Sequence, residues 1–169
     1  MRQILFLSMV MLSTVFMECS SQPPKSPRVT VEGKDIKVVY GQPSKKGRVI
    51  FGELVPYGQV WWTGANEATE ITFAKAANFA GKPVAAGTYS FFTIPTENEW
   101  TVILNSELKQ WGAYGYDKAK AKNILEATVP SKKIDPPVEK LTYRFDANNN
   151  LIIEWDQVQV EIPVTFWYL

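Results

Sequence analysis

The chain has 169 residues, a length typical of a single domain that buries its own core. Lysine and arginine total 18 and aspartate and glutamate total 17, so the formal charge of +1 excludes the strongly basic surface of a general nucleic-acid-binding protein. The chain has no histidine, which excludes a histidine-ligated zinc ion, a Ser-His-Asp triad and a histidine general base. We therefore expect no nucleic-acid partner and no cofactor.

Residues 1–18 are typical of a secretory signal peptide. Residues 4–17 form an uncharged, mostly apolar run that follows Arg2. A membrane-spanning helix needs about 20 apolar residues, so a run of this length fits the apolar region of a signal peptide better. We therefore expect the protein to be exported.

The single cysteine, Cys19, follows this apolar run by two residues. At this place it can become the acylated N-terminal residue after cleavage by signal peptidase II. Residues 19–27 are polar and rich in proline, as in a flexible tether between a membrane and a domain. Glu18 stands where a lipidation signal prefers a small residue, so the alternative is cleavage by signal peptidase I after Ser21, which yields a soluble periplasmic protein. We favour a lipoprotein of the outer or inner membrane that faces the periplasm.

Residues 28–165 are predicted to form one all-β domain. The predicted strands are residues 28–32, 34–40, 70–74, 88–94, 100–105, 123–129, 140–146, 151–156 and 158–164. In the last three, apolar and polar residues alternate, as in an antiparallel sheet that covers a core with one face. Residues 47–54 and 108–122 are expected to hold helical turns. The predicted fold is an antiparallel β-sandwich or flattened barrel of about nine strands with one or two short helical turns.

A run of oxygen-bearing side chains, residues 146–150, resembles the start of an EF-hand calcium loop. The twelfth position counted from Asp146 is Gln157, where such a loop needs a glutamate. An asparagine-rich hairpin turn explains the run better, and we expect no metal site.

Two longer runs carry a resemblance to a known family. Residues 40–73 read YGQPSKKGRVIFGELVPYGQVWWTGANEATEITF, and residues 81–105 read GKPVAAGTYSFFTIPTENEWTVILN. With the later Gln110-Trp111-Gly112, these runs resemble the domain of unknown function 2911 family over residues 27–164. The resemblance implies an envelope protein of Gram-negative bacteria of the Bacteroidota type, and it implies no reaction.

Residues 55–69, which lie between the predicted strands 34–40 and 70–74, hold the most unusual local chemistry. Tyr57, Trp61 and Trp62 offer aromatic faces, and Asn66 and Glu67 offer hydrogen-bonding groups. Neighbouring side chains on a strand point to opposite faces, so we expect one tryptophan to be buried and the other to be more exposed. An exposed indole beside amide and carboxylate groups can stack on a sugar ring or cover an apolar ligand. The alternative is a packed loop that buries both indoles.

Arg48 is a further candidate because it follows Ser44-Lys45-Lys46-Gly47. A basic loop that contains a glycine can hold an anion such as phosphate or carboxylate. The favoured alternative is an ion pair of Arg48 with Glu53 or Glu67 that clamps the loop.

These observations lead to three hypotheses about function. The candidate ligand-binding residues are Arg48, Tyr57, Trp61, Trp62, Asn66 and Glu67. We favour a non-catalytic module without catalytic residues that binds a small molecule, a glycan or an envelope protein. One alternative is a hydrolase of a glycan or other envelope substrate with Glu67 as acid or base, which requires a cleft with two carboxylates. The other is a scaffold that has a filled interior and only packs against envelope proteins.

Overall fold

The computed structural model describes residues 26–167, so the predicted signal peptide and Cys19 lie outside the described residues. The strands are β1 (Arg28–Gly33), β2 (Ile36–Gly41), β3 (Thr69–Phe73), β4 (Ala77–Phe79), β5 (Lys82–Val84), β6 (Gly87–Pro95), β7 (Glu99–Asn105), β8 (Asn123–Phe145), β9 (Leu151–Ile162) and β10 (Val164–Phe166). A single-turn helix α1 (Tyr116–Ala119) and a 3-10 turn (Lys120–Lys122) precede β8. The predicted all-β fold is confirmed.

Seven strands form one antiparallel sheet in the order β1-β2-β3-β6-β7-β8-β9. This sheet curls so that the segment after β2 meets the C-terminal part of the long strand β8. The Lys45 amide donates to the Glu139 carbonyl over 2.7 Å, and the Leu141 amide donates to the Pro43 carbonyl over 3.0 Å. The curled sheet therefore has the form of a flattened, partly closed barrel.

Alternation along β8 and β9 places the large apolar side chains inside this curl. Leu141 and Tyr143 of β8, and Leu151, Ile153 and Trp155 of β9, are each at most 2% exposed. A second sheet of three short strands, in the order β10-β4-β5, adds its apolar side chains to the same core. The alternation predicted for these segments is confirmed, because a period of two puts one face of each strand on the core.

Two pairs of predicted strands are each one continuous strand in the structure. Residues 123–129 and 140–146 both belong to β8, whose pairing with β9 shifts register between Lys133 and Val138. Most of residues 151–156 and 158–164 belongs to β9, in which Asp156 has a φ of 51°. At these irregularities the inward-facing positions shift by one residue. The sequence pattern therefore indicates two short strands where the structure has one long strand. The strands β4 and β5, three residues each, were missed.

The helical turn expected in residues 47–54 is wrong, whereas the one in residues 108–122 is confirmed by α1 and the 3-10 turn. Gly47 and Gly52 have φ values of 71° and 92°, which a right-handed helix cannot contain. The segment is instead a tight loop, closed by a 2.8 Å hydrogen bond from the Val55 amide to the Ile50 carbonyl.

The asparagine-rich run forms the hairpin turn between β8 and β9, as predicted. The Asp146 carboxylate accepts hydrogen bonds from the amides of Asn148 and Asn150, at 2.9 and 2.8 Å. Asn149 takes a positive φ of 67°, which asparagine tolerates in such turns. The oxygen atoms of this run thus stabilise the turn itself.

Candidate functional site

A cavity of about 610 Å³ opens at one mouth of the curled sheet. Its walls come from the segment after β2, from the loop before β3 and from β9. The apolar part of its lining includes Leu54, Val55, Val60, Trp61, Trp62 and Trp155. This volume lies within the range of about 300–1,000 Å³ that small-molecule sites occupy.

Trp61 and Trp155 form the aromatic floor of the cavity. Trp61 is 5% exposed, and its ring stacks on that of Trp155 at a centroid distance of 5.9 Å and an angle of 21°. The Trp61 indole N–H donates to the Gly64 carbonyl over 3.3 Å, which fixes the ring. Trp62 is half-buried, so the prediction that one indole is buried and the other more exposed is confirmed. The Trp62 indole nitrogen is buried and has no partner among the described residues.

A buried polar cluster holds the wall behind these tryptophans. Thr63 has a φ of 51°, an unfavourable conformation for a β-branched residue. The Tyr143 hydroxyl donates to the Thr63 carbonyl over 2.7 Å, and the Thr69 hydroxyl donates to the same carbonyl over 3.0 Å. The Thr63 hydroxyl lies 3.1 Å from that of Thr93. Burial raises the pKa of Tyr143 well above its ordinary value, so this hydroxyl remains a donor at neutral pH.

The rim of the cavity carries positive charge. Lys46 and Arg48 are the two cations among its described lining residues, and the neighbouring Lys45 is paired with Asp156. Arg48 donates from Nε to the Lys45 carbonyl over 3.0 Å and from Nη2 to the Ser44 carbonyl over 2.6 Å. Its guanidinium is therefore held on its own loop. No aspartate or glutamate is among the described residues that line the cavity.

The predicted clamp between Arg48 and Glu53 or Glu67 is wrong. Arg48 reaches backbone carbonyls of its own turn, which lie three and four residues before it. Glu67 pairs instead with Arg28 over 3.4 Å, at the start of β1. The sequence could not indicate this partner because β1 lies far from residue 67 along the chain.

The structure brings three of the six candidate residues together at the cavity: Arg48, Trp61 and Trp62. Asn66 lies beside them and donates from Nδ2 to the Ser26 carbonyl over 3.1 Å, while Glu67 is held by Arg28. Tyr57 is 39% exposed on the outside of the loop; partial burial and the negative charge of Glu97 raise its pKa.

Sequence reasoning missed Leu54 and Trp155 as lining residues, whereas Lys46 belongs to the basic loop that was considered as an anion site. Trp155 had a usable signal, because it is the last inward position of the alternating run 151–155. Leu54 had none, since only the folded loop turns it towards the opening. Tyr143 was predicted as a core residue, and its hydroxyl bond to Thr63 could not be foreseen.

A second cavity, of about 490 Å³, lies beside the outer parts of β8 and β9. Lys132 and Glu161 line it with opposite charges, and none of the six candidate residues reaches it. Between residues 26 and 167, no three side chains of the types His, Cys, Asp and Glu lie close enough together to hold a metal ion. In the same part of the chain, no helix has the length and apolar character needed to cross a membrane.

Comparison with known proteins places the chain in a family. The family described as Protein of unknown function (DUF2911) matches it over residues 22–164, which covers both the cavity and the strands around it. No curated protein and no solved structure matches the chain. The resemblance noted on residues 40–73 and 81–105 is thereby confirmed. The chain belongs to the DUF2911 family of proteins of unknown function.

Proposed function

We propose that the protein is a non-catalytic binding module for a small amphipathic anion. The ligand would place an apolar body against Trp62 and Leu54 and an anionic group at Arg48. Trp61 and Trp155 would form the base of the cavity beneath it. One observation carries this proposal: the cavity has an aromatic floor and two cations at its rim, and no carboxylate is among its described lining residues.

The apolar body is supported by the floor and the side walls. Trp61 and Trp155 stack on each other and are only 5% and 2% exposed, so they form a fixed base of the cavity. The half-buried Trp62 and the exposed Leu54 supply apolar surface above that base. Preformed aromatic surfaces bind with a small loss of conformational entropy. Leu54 at the mouth is 45% exposed and would cover part of the ligand.

The anionic group is supported by the state of Arg48. Its two hydrogen bonds to carbonyls use Nε and Nη2, and Nη1 has no hydrogen bond in the described residues. A guanidinium held in this way presents its remaining donors without a large loss of side-chain entropy. Lys46 adds a second positive charge that attracts the same group.

The hydrolase alternative finds less support at this site. Glycoside hydrolysis requires two carboxylates across one cleft, and Glu67 stands outside the cavity in an ion pair with Arg28. The scaffold alternative requires a filled interior, which a cavity of about 610 Å³ does not provide.

We also propose that the module is exported and held at the membrane by acylated Cys19. The support is the apolar run 4–17 and the proline-rich segment that follows the cysteine. Labelled palmitate should be incorporated into the full chain in a bacterial host with lipoprotein processing. Cys19→Ala should abolish that incorporation, and a soluble periplasmic product from the unaltered chain would contradict the anchor.

Two fluorescent probes with related ring systems test the binding site. 8-Anilinonaphthalene-1-sulfonate has an anionic group, and N-phenyl-1-naphthylamine lacks it. We expect the double variant Lys46→Ala, Arg48→Ala to bind the sulfonate about tenfold more weakly, as expected for the loss of a charge-assisted hydrogen bond. Its affinity for the neutral probe should change by less than about twofold, because the floor is intact.

A matched control removes the same charge elsewhere: Lys37→Ala with Lys82→Ala, two exposed lysines outside the cavity. This control should leave both affinities unchanged. Leu54→Ala should weaken both probes, since it lies on the apolar wall. Equal losses in the two charge variants, or no effect of Leu54→Ala on either probe, would contradict the proposed site.

A further inference from the structure

We propose that the face around the cavity mouth docks on the surface of an anionic phospholipid bilayer. This mouth face consists of Lys46, Arg48, Val49, Leu54, Trp111 and Tyr114. The inference goes beyond ligand binding, because it concerns the outer surface and does not require the cavity to be occupied.

The mouth face has a concentration of exposed apolar side chains. Val49 is 53% exposed, Leu54 45%, Trp111 58% and Tyr114 88%. These four are half of the eight large apolar side chains that are exposed in the described part of the chain. Single exposed apolar residues are ordinary, whereas a group of them on one face indicates an interaction surface.

Contacts through Asn66 bring the two segments of this face to the same opening. The Gly112 amide, between Trp111 and Tyr114, donates to the Asn66 carbonyl over 2.9 Å. The Asn66 side chain in turn donates to the carbonyl of Ser26, which lines the cavity. A Cβ atom on Gly112 would lie 3.3 Å from the Tyr114 ring and 3.8 Å from the Trp62 ring. The aromatic segment therefore borders the cavity lining at Trp62 and Ser26.

Charge favours a lipid surface as the occupant. Lys46 and Arg48 are the cations of the mouth face, and none of its six residues is a carboxylate. The neighbouring carboxylates of Glu139 and Glu67 accept hydrogen bonds from the Lys46 amide and from Arg28. Tryptophan and tyrosine prefer the boundary between headgroups and acyl chains, and nearby lysine or arginine side chains pair with anionic headgroups. The mouth face offers both kinds of side chain together.

The place where the chain leaves the described structure supports the same occupant. Ser26 lines the mouth, and Cys19 precedes it by seven residues. A seven-residue segment spans at most about 25 Å. With the anchor proposed above, the mouth would stay within that distance of the bilayer. The docking itself needs no acyl chain, so it can be tested without the anchor.

The test uses unacylated residues 20–169, which retain every strand of the fold, and vesicles with and without phosphatidylglycerol. Co-sedimentation should show binding to vesicles of phosphatidylcholine and phosphatidylglycerol, and at least about tenfold weaker binding to phosphatidylcholine alone. The double variant Trp111→Ala, Tyr114→Ala should lower the affinity for the anionic vesicles by about tenfold.

The matched control is Trp167→Ala. Trp167 is 55% exposed, close to the 58% of Trp111, and it follows β10, no residue of which lines the cavity. This variant should bind vesicles like the unaltered chain. An equal loss in Trp167→Ala overturns the docking face, and so does an absence of binding to any vesicle, or retention by peptidoglycan in place of vesicles.

The two proposals can fail separately. Trp111 and Tyr114 do not line the cavity, so their double variant should bind both naphthalene probes normally. If vesicle binding fails while the probe experiment succeeds, the ligand site stands without the docking face. The opposite result leaves the docking face without the ligand site.

Discussion

Two aromatic regions of the same core have similar ring contacts but differ in what lies beside them. Near β4, the rings of Phe73, Phe79 and Phe91 pack edge to face at 5.5 and 6.2 Å, and none of them is more than 1% exposed. At the mouth, Trp61 and Trp155 stack at 5.9 Å with a large cavity beside them. The first region is covered by the three-stranded sheet. The second, called the open region below, borders the cavity, although its two rings are only 5% and 2% exposed.

The difference shows what keeps the mouth open. Apolar side chains pack to high density wherever the backbone can close around them, as it does near Phe79. At the mouth, polar and backbone contacts fix the wall: Tyr143 and Thr69 hold the Thr63 carbonyl, and Gly41 lies against Ala65. A wall fixed in this way cannot collapse onto the tryptophans. The open region is therefore suited to binding, and the closed region contributes stability.

The largest loss of stability is expected from a substitution in the region around Phe79, which is called the closed region here. Phe79→Ala should lower the free energy of unfolding by about 3–5 kcal/mol, because the ring is fully buried and its space cannot be refilled. Urea unfolding measures this loss. The comparison variant is Leu54→Ala at the mouth, where a residue 45% exposed should cost less than about 1 kcal/mol. Equal costs would mean that the mouth is as tightly packed as the region around Phe79.

A smaller loss of stability is expected at Gly41, where the backbone lies against the wall of the open region. A Cβ atom on Gly41 would lie 1.9 Å from the Ala65 carbonyl oxygen, so Gly41→Ala must push the wall outwards. We expect a loss of about 1–3 kcal/mol in stability, as for other overpacked sites, together with weaker binding of both naphthalene probes.

The control for Gly41→Ala is Gly115→Ala. There the nearest atom, Oε1 of Gln110, is 3.8 Å away, and the φ of −94° suits alanine. Gly115→Ala should leave stability within about 0.5 kcal/mol and probe binding unchanged. A tolerated Gly41→Ala would show that the wall moves freely and does not shape the cavity.

The fold was largely predictable because burial on one face imposes a period of two. Leu151, Ile153 and Trp155 follow that period and all three lie in the core, although Ile152 between them is buried as well. The short strands β4 and β5 could not be predicted, since three residues contain too little alternation and Gly81-Lys82-Pro83 is typical of a turn. Residues 47–54 place apolar side chains at helical spacing, but the positive φ of Gly47 and Gly52 overrides that pattern.

The site was predictable only in part because a cavity depends on how distant segments meet. Trp61 and Trp62 were recognisable as two adjacent tryptophans. Because neighbouring side chains on a strand point to opposite faces, the sequence correctly predicted that one would be more buried than the other. Leu54 is an ordinary loop residue in the sequence, and Lys46 was recognisable only as part of a basic loop. Their role follows from the curl that brings the segment after β2 onto β8, and no local pattern encodes that contact.

A third prediction concerns the polar cluster behind the open region. Tyr143→Phe removes the hydroxyl bond to the Thr63 carbonyl and should cost about 1 kcal/mol, the typical net value of one hydrogen bond. The loss should be measurable by urea unfolding at neutral pH. The matched variant Tyr89→Phe, whose hydroxyl bonds to the Ala85 carbonyl at an exposed site, should cost less.

Because Tyr143 is buried, we expect the stability of the fold to fall at high pH. Burial raises the pKa of Tyr143 in the folded state above the ordinary value of 10.0, whereas the unfolded chain retains that ordinary value. Stability is therefore fully present below pH 10 and falls as the pH rises beyond it, because only the unfolded state releases the proton readily. Tyr143→Phe should show a shallower alkaline decline. An identical decline in both proteins would assign it to other groups, such as Tyr40.

The smallest effect is expected at Glu67, which the sequence singled out and the structure places outside the cavity. Its ion pair with Arg28 joins two side chains that are 45% and 35% exposed, so solvent screens most of the attraction. Glu67→Gln should therefore change the free energy of unfolding by no more than about 0.5 kcal/mol. Probe binding should also be unchanged, because neither residue of the pair lines the cavity. A marked gain in sulfonate binding in Glu67→Gln would mean that Arg28, released from its partner, adds positive charge at the mouth. The proposed binding site would then extend to Arg28 at the start of β1.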